Sequence, residues 1–217
     1  MNRHVARKFD LSVYLVTDPR DGGSKVIETV GLAAAGGVTL VQLREPGAAG
    51  REFVARARAL VALLRPLGIP LIVNDRVDVA LAAGADGVHL GQDDMEPLDA
   101  RRLLGPDAVI GLSVGSPAEL ALSASQLAVV DYLGTGPVHA TRTKDDAGGA
   151  IGVDGLAAVR ALTALPVVAI GGLTAADAPA LIRAGADGLA VVSAICAAPD
   201  PGRAARELRD AVTAARA

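Results

Sequence analysis

Two segments of the chain are nearly the same: Ala83–Leu90 reads AGADGVHL and Ala184–Val191 reads AGADGLAV. Ala35–Leu43, AGGVTLVQL, is a looser third copy. Each puts a glycine just past an alanine-rich stretch, where a helix can end in the left-handed conformation. Each then runs into Val, Leu and Ile with little polar alternation, as a strand buried on both faces of a parallel sheet does. The recurring unit is therefore helix, glycine turn, strand. Expected strands are Val13–Val16, Thr39–Leu43, Pro70–Val73, Gly87–Leu90, Val109–Leu112, Val129–Leu133, Val167–Ile170 and Gly188–Val192. Expected helices are Ser24–Ala35, Gly50–Leu67, Val77–Ala83, Pro97–Leu104, Pro117–Gln126, Val153–Ala164, Ala175–Ala184 and Gly202–Ala215. Ser116-Pro117, and Thr174 with Asp177 three residues on, are helix-start signals. Eight strands alternating with eight helices in 217 residues favour an α/β fold of one kind, the closed (β/α)8 TIM barrel, over an open doubly wound sheet. No Gly-x-Gly-x-x-Gly follows the first strand, which weakens the dinucleotide-binding alternative. No linker or charge run divides the chain. The expectation is a single domain over residues 1–217, with 1–10 a short N-terminal extension.

Composition narrows the function. Half the residues are apolar but only 2% are aromatic, so the core must be built from Val, Leu, Ile and Ala. A net charge of -3 gives no reason to expect nucleic acid or an anionic membrane. The single cysteine, Cys196, cannot form an intrachain disulfide, which fits a reducing cytoplasm. No apolar run reaches the length of a membrane helix, and no secretory h-region follows the basic N-terminus. The oligomeric state stays open, a homo-oligomer included.

In a barrel, chemistry collects at the carboxyl ends of the strands. Those ends are far more polar here than the strands. They carry Thr17 and Asp18; Gln42, Arg44 and Glu45; Asn74, Asp75 and Arg76; His89, Gln92, Asp93 and Asp94; Ser113; Gly171 and Gly172; and Ser193. After the sixth strand comes Asp131–Lys144, DYLGTGPVHATRTK. Its hydroxyls, backbone N–H groups, Arg142 and Lys144 suit a phosphate or pyrophosphate, although such a loop can equally be a solvated connection. Gly171-Gly172 and Val192-Ser193 lie where many barrels bind a substrate phosphate. Asp75 and Asp94 follow adjacent strands and could share Mg2+, which takes few protein carboxylates and completes its octahedron with water and phosphate oxygens. An N-cap role for Asp75 and a turn role for Asp94 are the plain alternatives. Two anion sites and a metal suggest that pyrophosphate leaves while a second, phosphorylated substrate attacks. No strong nucleophile–base pair stands out: Cys196 reads as a packing residue, His89 as a core or orienting histidine, and His139 has no evident partner.

The motifs YLVTD, QLRE, VNDR, GVHLGQDD, GLSV, DYLGTGP with ATRTK, AIGG and VVSAI occur in that order across almost the whole chain. Together they resemble the thiamine phosphate synthase (thiamine-phosphate pyrophosphorylase) family. The resemblance implies a transferase of thiamine biosynthesis. It would join 4-amino-2-methyl-5-hydroxymethylpyrimidine pyrophosphate to a thiazole phosphate, plain or carboxylated, with Mg2+ present and pyrophosphate released by a dissociative substitution. Carried over by motif, Asp75 and Asp94 would bind Mg2+. Gln42, Arg44, Asn74, Ser113 and Lys144 would contact the pyrimidine pyrophosphate, with Arg44, Ser113 and Lys144 closest to the catalysis. Thr141, Arg142, Thr143, Gly172, Val192 and Ser193 would hold the thiazole phosphate. The chain departs from the pattern twice. Pro46 replaces the lysine of QLREK, removing a cation that Arg142 would partly restore, and Gly115 stands where a histidine often follows GxSx. A thiazole tautomerase of the same superfamily would need that histidine. A non-catalytic phosphate-binding barrel is the remaining alternative, and Pro46 is its best support.

Overall fold

The structure, a computed structural model, describes residues 9–21, 24–140 and 149–217. Eight parallel strands close into a barrel in sequence order: β1 Val13–Val16, β2 Leu40–Leu43, β3 Leu71–Asn74, β4 Gly87–Leu90, β5 Val109–Ser113, β6 Tyr132–Thr135, β7 Val167–Ile170 and β8 Gly188–Val191. The helices are α1 Ser24–Gly36, α2 Gly50–Leu64, α3 Val77–Ala83, α4 Pro97–Leu104, α5 Pro117–Leu122, α6 Gly152–Arg160, α7 Ala178–Arg183, the single turn α8 Ser193–Cys196, and α9 Pro201–Arg216. α9 packs against α1 and α7 and so covers the seam where β8 meets β1. Among the described residues no helix is long and apolar enough to cross a membrane.

Alternation along each strand separates two cores. Val13 and Leu15 of β1, Val41 and Leu43 of β2, and Val88 and Leu90 of β4 face the helices. Tyr14, Val16, Leu40, Ile72, Val109, Tyr132, Val168 and Ala190 face one another inside the barrel. The helix-facing side is aliphatic, as the composition requires, but both tyrosines of the chain are spent on the interior.

The strand starts are clipped in pairs. Asp86, just before β4, donates its N–H to the carbonyl of Leu71 on β3 and accepts the N–H of Leu71 on Oδ2 at 2.8 Å. Asp131, before β6, does the same to Ile110 of β5. Asp187, before β8, does it to Val167 of β7. Thr39, before β2, does it to Val13 of β1 through its hydroxyl. The near-identical AGAD segments are thus two copies of one device, in which the aspartate fixes the register of the strand to the preceding one.

Most element boundaries agree with the expectation to within a few residues. The sixth strand differs most, starting at Tyr132 instead of Val129. Leu127–Val129 forms a 3-10 turn, and Asp131 must stand at the strand entrance to clip Ile110, so the apolar run is divided between turn and strand. β3 and β5 extend to Asn74 and Ser113, which puts both side chains on strand ends instead of loops. The helix expected to run to Gln126 stops at Leu122, and Ser123 caps it.

Replacing Asp187 by alanine leaves the buried Val167 N–H without its acceptor. Such a loss costs about 1–3 kcal/mol, and a urea midpoint lowered to match is expected. Asp187→Asn keeps an acceptor oxygen and should retain most of the stability. Equal losses in the two variants would refute the clip.

Candidate active site

At the carboxyl end of the barrel lies a cavity of about 390 Å³ lined from all eight strands. Its floor is polar. Gln42 Nε2 donates to Tyr14 Oη at 2.7 Å, and Tyr14 Oη lies 2.7 Å from Tyr132 Oη. Tyr132 Oη is 3.0 Å from His89 Nδ1, and His89 Nε2 is 2.9 Å from Ser113 Oγ. Burial pushes the pKa of both phenols up, so they stay neutral. Gln92 fixes the end of β5 by donating from Nε2 to the carbonyl of Ser113 at 2.6 Å.

The walls carry most of the residues expected from the sequence. Gln42, Arg44, Asn74, Asp75, Ser113, Gly172, Val192 and Ser193 all line the cavity. Asp75 has φ 60, a left-handed conformation rare outside glycine. It is not a helix cap: the residue capping α3 is Arg76, whose side chain pairs instead with Asp78. Asn74 Nδ2 donates to Asp75 Oδ2 at 2.6 Å and orients the carboxylate. Asp94 does not line the cavity. Its Oδ2 accepts the Gly91 N–H at 2.7 Å, the turn role, which leaves Oδ1 for any ligand. Its neighbour Asp93 does line the cavity. Thr141, Arg142, Thr143 and Lys144 lie outside the described residues.

Other strand-end residues are structural. Glu45 turns away to ion-pair with Arg56 of α2. Pro46 is exposed and outside the cavity wall. Thr17 Oγ1 accepts the N–H of Arg44 at 2.9 Å and steadies that residue's backbone. Cys196 is buried, with Sγ 3.8 Å from the carbonyl oxygen of Val16, in keeping with a packing role. On the far wall Gly171 and Gly172 have φ 105 and 66. A Cβ on Gly171 would lie 2.5 Å from Pro137 Cα, and one on Gly172 would lie 3.0 Å from His139 Cβ. Glycine is therefore required there by both backbone and space. Gly115 lines the cavity beside the Gly136 carbonyl, 3.0 Å from where its Cβ would be, and donates its N–H to Glu119.

Three features were not foreseen. The tyrosines Tyr14 and Tyr132 complete the floor, and in a chain with only two tyrosines that scarcity was the available signal. Glu119 reaches back from α5 into the cavity wall. His139, read as having no partner, lies 2.8 Å from Asp177 through Nε2. Asp177 also accepts from the Thr174 N–H and hydroxyl, completing the capping box. Burial opposes ionisation of Asp177, but the bonds from His139 and Thr174 outweigh it and hold its carboxyl below the usual range.

Three comparisons place the chain among known proteins. The family model described as thiamine monophosphate synthase matches residues 13–195. The thiamine-phosphate synthase of Azorhizobium caulinodans is 63% identical over 209 residues, covering 96% of this chain and 98% of that one. That of Xanthobacter autotrophicus is 66% identical over 213 residues, covering 98% of this chain and all of its own. Among solved structures, thiamine phosphate pyrophosphorylase from Pyrococcus furiosus superposes with a TM-score of 0.85 at 37% identity, covering 95% of this chain and 98% of that one.

At the mouth, Asp18 is nearly buried and binds the exposed Arg20 through both carboxylate oxygens, at 2.8 and 2.5 Å. The Arg20 hydrogen bonds hold its carboxyl below the usual range against the opposing effect of burial, and Arg44 adds to the lowering. A depressed folded-state pKa stabilises above the unfolded value and is lost as pH falls through the folded one. Because Arg20 is largely in water, the contribution is about 1 kcal/mol or less. The difference in urea midpoint between the native chain and Asp18→Asn should be constant near neutrality and close progressively below the ordinary value of 3.8. A difference unchanged down to pH 3 would mean that the charge is not its source.

Proposed function

The chain belongs to the thiamine monophosphate synthase family, and from that premise we infer that its barrel mouth joins an aminopyrimidine methyl pyrophosphate to a thiazole phosphate. The products are thiamine phosphate and pyrophosphate, which makes the protein a transferase.

The observation that carries the reading is the chemistry of the cavity wall. It offers amide and hydroxyl groups, Arg44, Asp75 and the close-packed glycine turn at 171–172, but among the described residues no activated nucleophile. The Cys196 thiol lies buried beside a carbonyl, His89 is no base for Ser113 when its Nδ1 accepts from Tyr132 and its Nε2 carries the proton, and His139 is bound to Asp177. Such a wall suits a reaction between two bound substrates, where the protein positions them and stabilises charge. The carbon–oxygen bond to pyrophosphate breaks first, and its electron pair leaves with the pyrophosphate. The thiazole nitrogen then donates its lone pair to the pyrimidine methyl cation, and the new carbon–nitrogen bond leaves the positive charge on the thiazolium.

Gln42 and Ser113 would hold the pyrimidine, while Asn74, Arg44 and Lys144 would bind its pyrophosphate. Thr141, Arg142, Thr143, Gly172, Val192 and Ser193 would hold the thiazole phosphate. Asp75 and the free oxygen of Asp94 would hold Mg2+. Two carboxylates suffice for an ion that completes its shell with water and phosphate oxygens; among the described residues no group of three or more His, Cys, Asp or Glu side chains could hold a metal. When bound, Mg2+ would neutralise charge developing on the pyrophosphate. Gly115 supplies no imidazole for a tautomerase.

Purified protein given both substrates should release equal amounts of pyrophosphate and thiamine phosphate with Mg2+ and neither with EDTA. Product formation indifferent to EDTA would remove the metal from the account; no product from folded protein that binds both substrates would identify a degenerate binding barrel. Asp75→Asn should lower kcat/KM about a hundredfold, by the usual scale for losing a charge-stabilising group, and recover in part at raised Mg2+. An Arg142→Ala variant should raise KM for the pyrimidine pyrophosphate about tenfold if Arg142 compensates for Pro46, by the scale of a lost charged hydrogen bond; an unchanged KM would reject the compensation.

A further inference from the structure

The floor of the cavity is a single hydrogen-bonded chain, and its proton count has a consequence for substrate choice. It links five strands: Gln42 on β2, Tyr14 on β1, Tyr132 on β6, His89 on β4 and Ser113 on β5. Space has been made for it. A Cβ on Gly111 would lie 2.2 Å from Tyr132 Cζ and 2.4 Å from His89 Nδ1, and one on Gly134 would lie 2.9 Å from His89 Cε1. Two glycines on neighbouring strands therefore admit the two rings.

Each neutral phenol has one proton, and a neutral imidazole has one N–H. Gln42 Nε2 can only donate, so Tyr14 accepts from it, and the arrangement that leaves no buried phenol proton unpaired has Tyr14 donate to Tyr132. Tyr132 then donates to His89 Nδ1, which leaves the imidazole proton on Nε2, directed at Ser113 Oγ. Ser113 accepts there, so its own proton points away from His89. At the opposite end, Gln42 has spent its amide nitrogen on Tyr14 and has Oε1 to offer. Both residues line the cavity. Reversing the chain would require the Gln42 amide to turn over, and would exchange the two roles, so the ends always present opposite polarity.

We propose that Tyr14, Tyr132 and His89, the last as its Nε2–H tautomer, are positioning residues that make Ser113 a donor and Gln42 an acceptor towards the substrate ring. The site would then select a heteroaromatic ring with an unprotonated nitrogen facing Ser113 and an amino group facing Gln42. An oxo group in place of the amino group sets a second acceptor against Gln42 Oε1 and is rejected. The inference rests on the pyrimidine reading of this site, and it assigns the discrimination between aminopyrimidine and oxopyrimidine to residues beneath the ring as well as to those touching it.

The tautomer can be read directly. In protein labelled with 15N-histidine at pH 8, the His89 signals, assigned by difference against H89Q, should show an unprotonated Nδ1 and a protonated Nε2. A protonated Nδ1 would overturn the assignment. Selectivity is read by titrating the native chain and Tyr132→Phe with the aminopyrimidine pyrophosphate and its oxo counterpart. Tyr132→Phe removes one hydroxyl from the middle of the chain and keeps the ring. The native preference for the amino ligand should shrink about tenfold or more, the scale of one buried polar group losing its partner, with KM for the thiazole phosphate unchanged. Equal weakening of both ligands would show a merely structural role and overturn the proposal. If Tyr132→Phe does not fold, Tyr14→Phe makes the same cut one residue earlier. Native protein that binds neither pyrimidine would sink the functional reading and the ring selectivity with it, while the spectrum would still decide the tautomer.

Discussion

The barrel depends on register, and register depends on four polar residues at the strand entrances. Thr39, Asp86, Asp131 and Asp187 each bind the N–H and the carbonyl of one residue on the preceding strand. A slip of one residue would turn every side chain of a strand to the opposite face. In this barrel that would exchange aliphatic side chains packed under helices for the tyrosines, Gln42 and His89. Apolar burial alone does not resist such a slip strongly, because both faces of these strands are buried. The clips supply a specific penalty for it: a buried N–H without an acceptor.

Correct register brings one polar group from each of several strands to the same level of the barrel. Gln42, Tyr14, Tyr132, His89 and Ser113 meet only because their strands are held in step. The resulting floor is polar, internally hydrogen-bonded and nearly closed to water. Above it the walls are charged and open, with Asp75 and Arg44 on one side and the glycine turn at 171–172 on the other. A neutral ring at the floor and charged phosphates at the rim is a sensible division, since burying charge is costly while burying a satisfied polar chain is not.

Much of this was legible in the chain. The AGAD repeats announced the alternating unit and the closed barrel, and the residues read at the strand ends include eleven that line the cavity. The clip was present in the same repeats, but an aspartate before a strand looks like ordinary turn chemistry until its partner strand is known. The floor was hidden for a similar reason. Tyr14 and Tyr132 are separated by 118 positions, and a tyrosine in an apolar strand reads as core. Asp94 was legible in two ways, as a ligand or as a turn residue of QDD, and the backbone of its own turn engages one carboxylate oxygen while leaving the other. The sixth strand was misplaced because apolar character cannot by itself divide a 3-10 turn from the strand that follows.

The chemistry inferred for this chain asks little covalent work of the protein. On that reading the protein holds a ring and two phosphate groups and, among the described residues, offers no nucleophile of its own, and the bond to pyrophosphate breaks before the thiazole nitrogen attacks. The most direct test is a secondary isotope effect with deuterium on the pyrimidine methylene that bears the pyrophosphate, measured in single turnovers where chemistry limits the rate. A normal effect clearly above unity is expected, because the carbon becomes trigonal as pyrophosphate departs. An effect indistinguishable from unity would mean that attack and departure are concerted and would contradict the account.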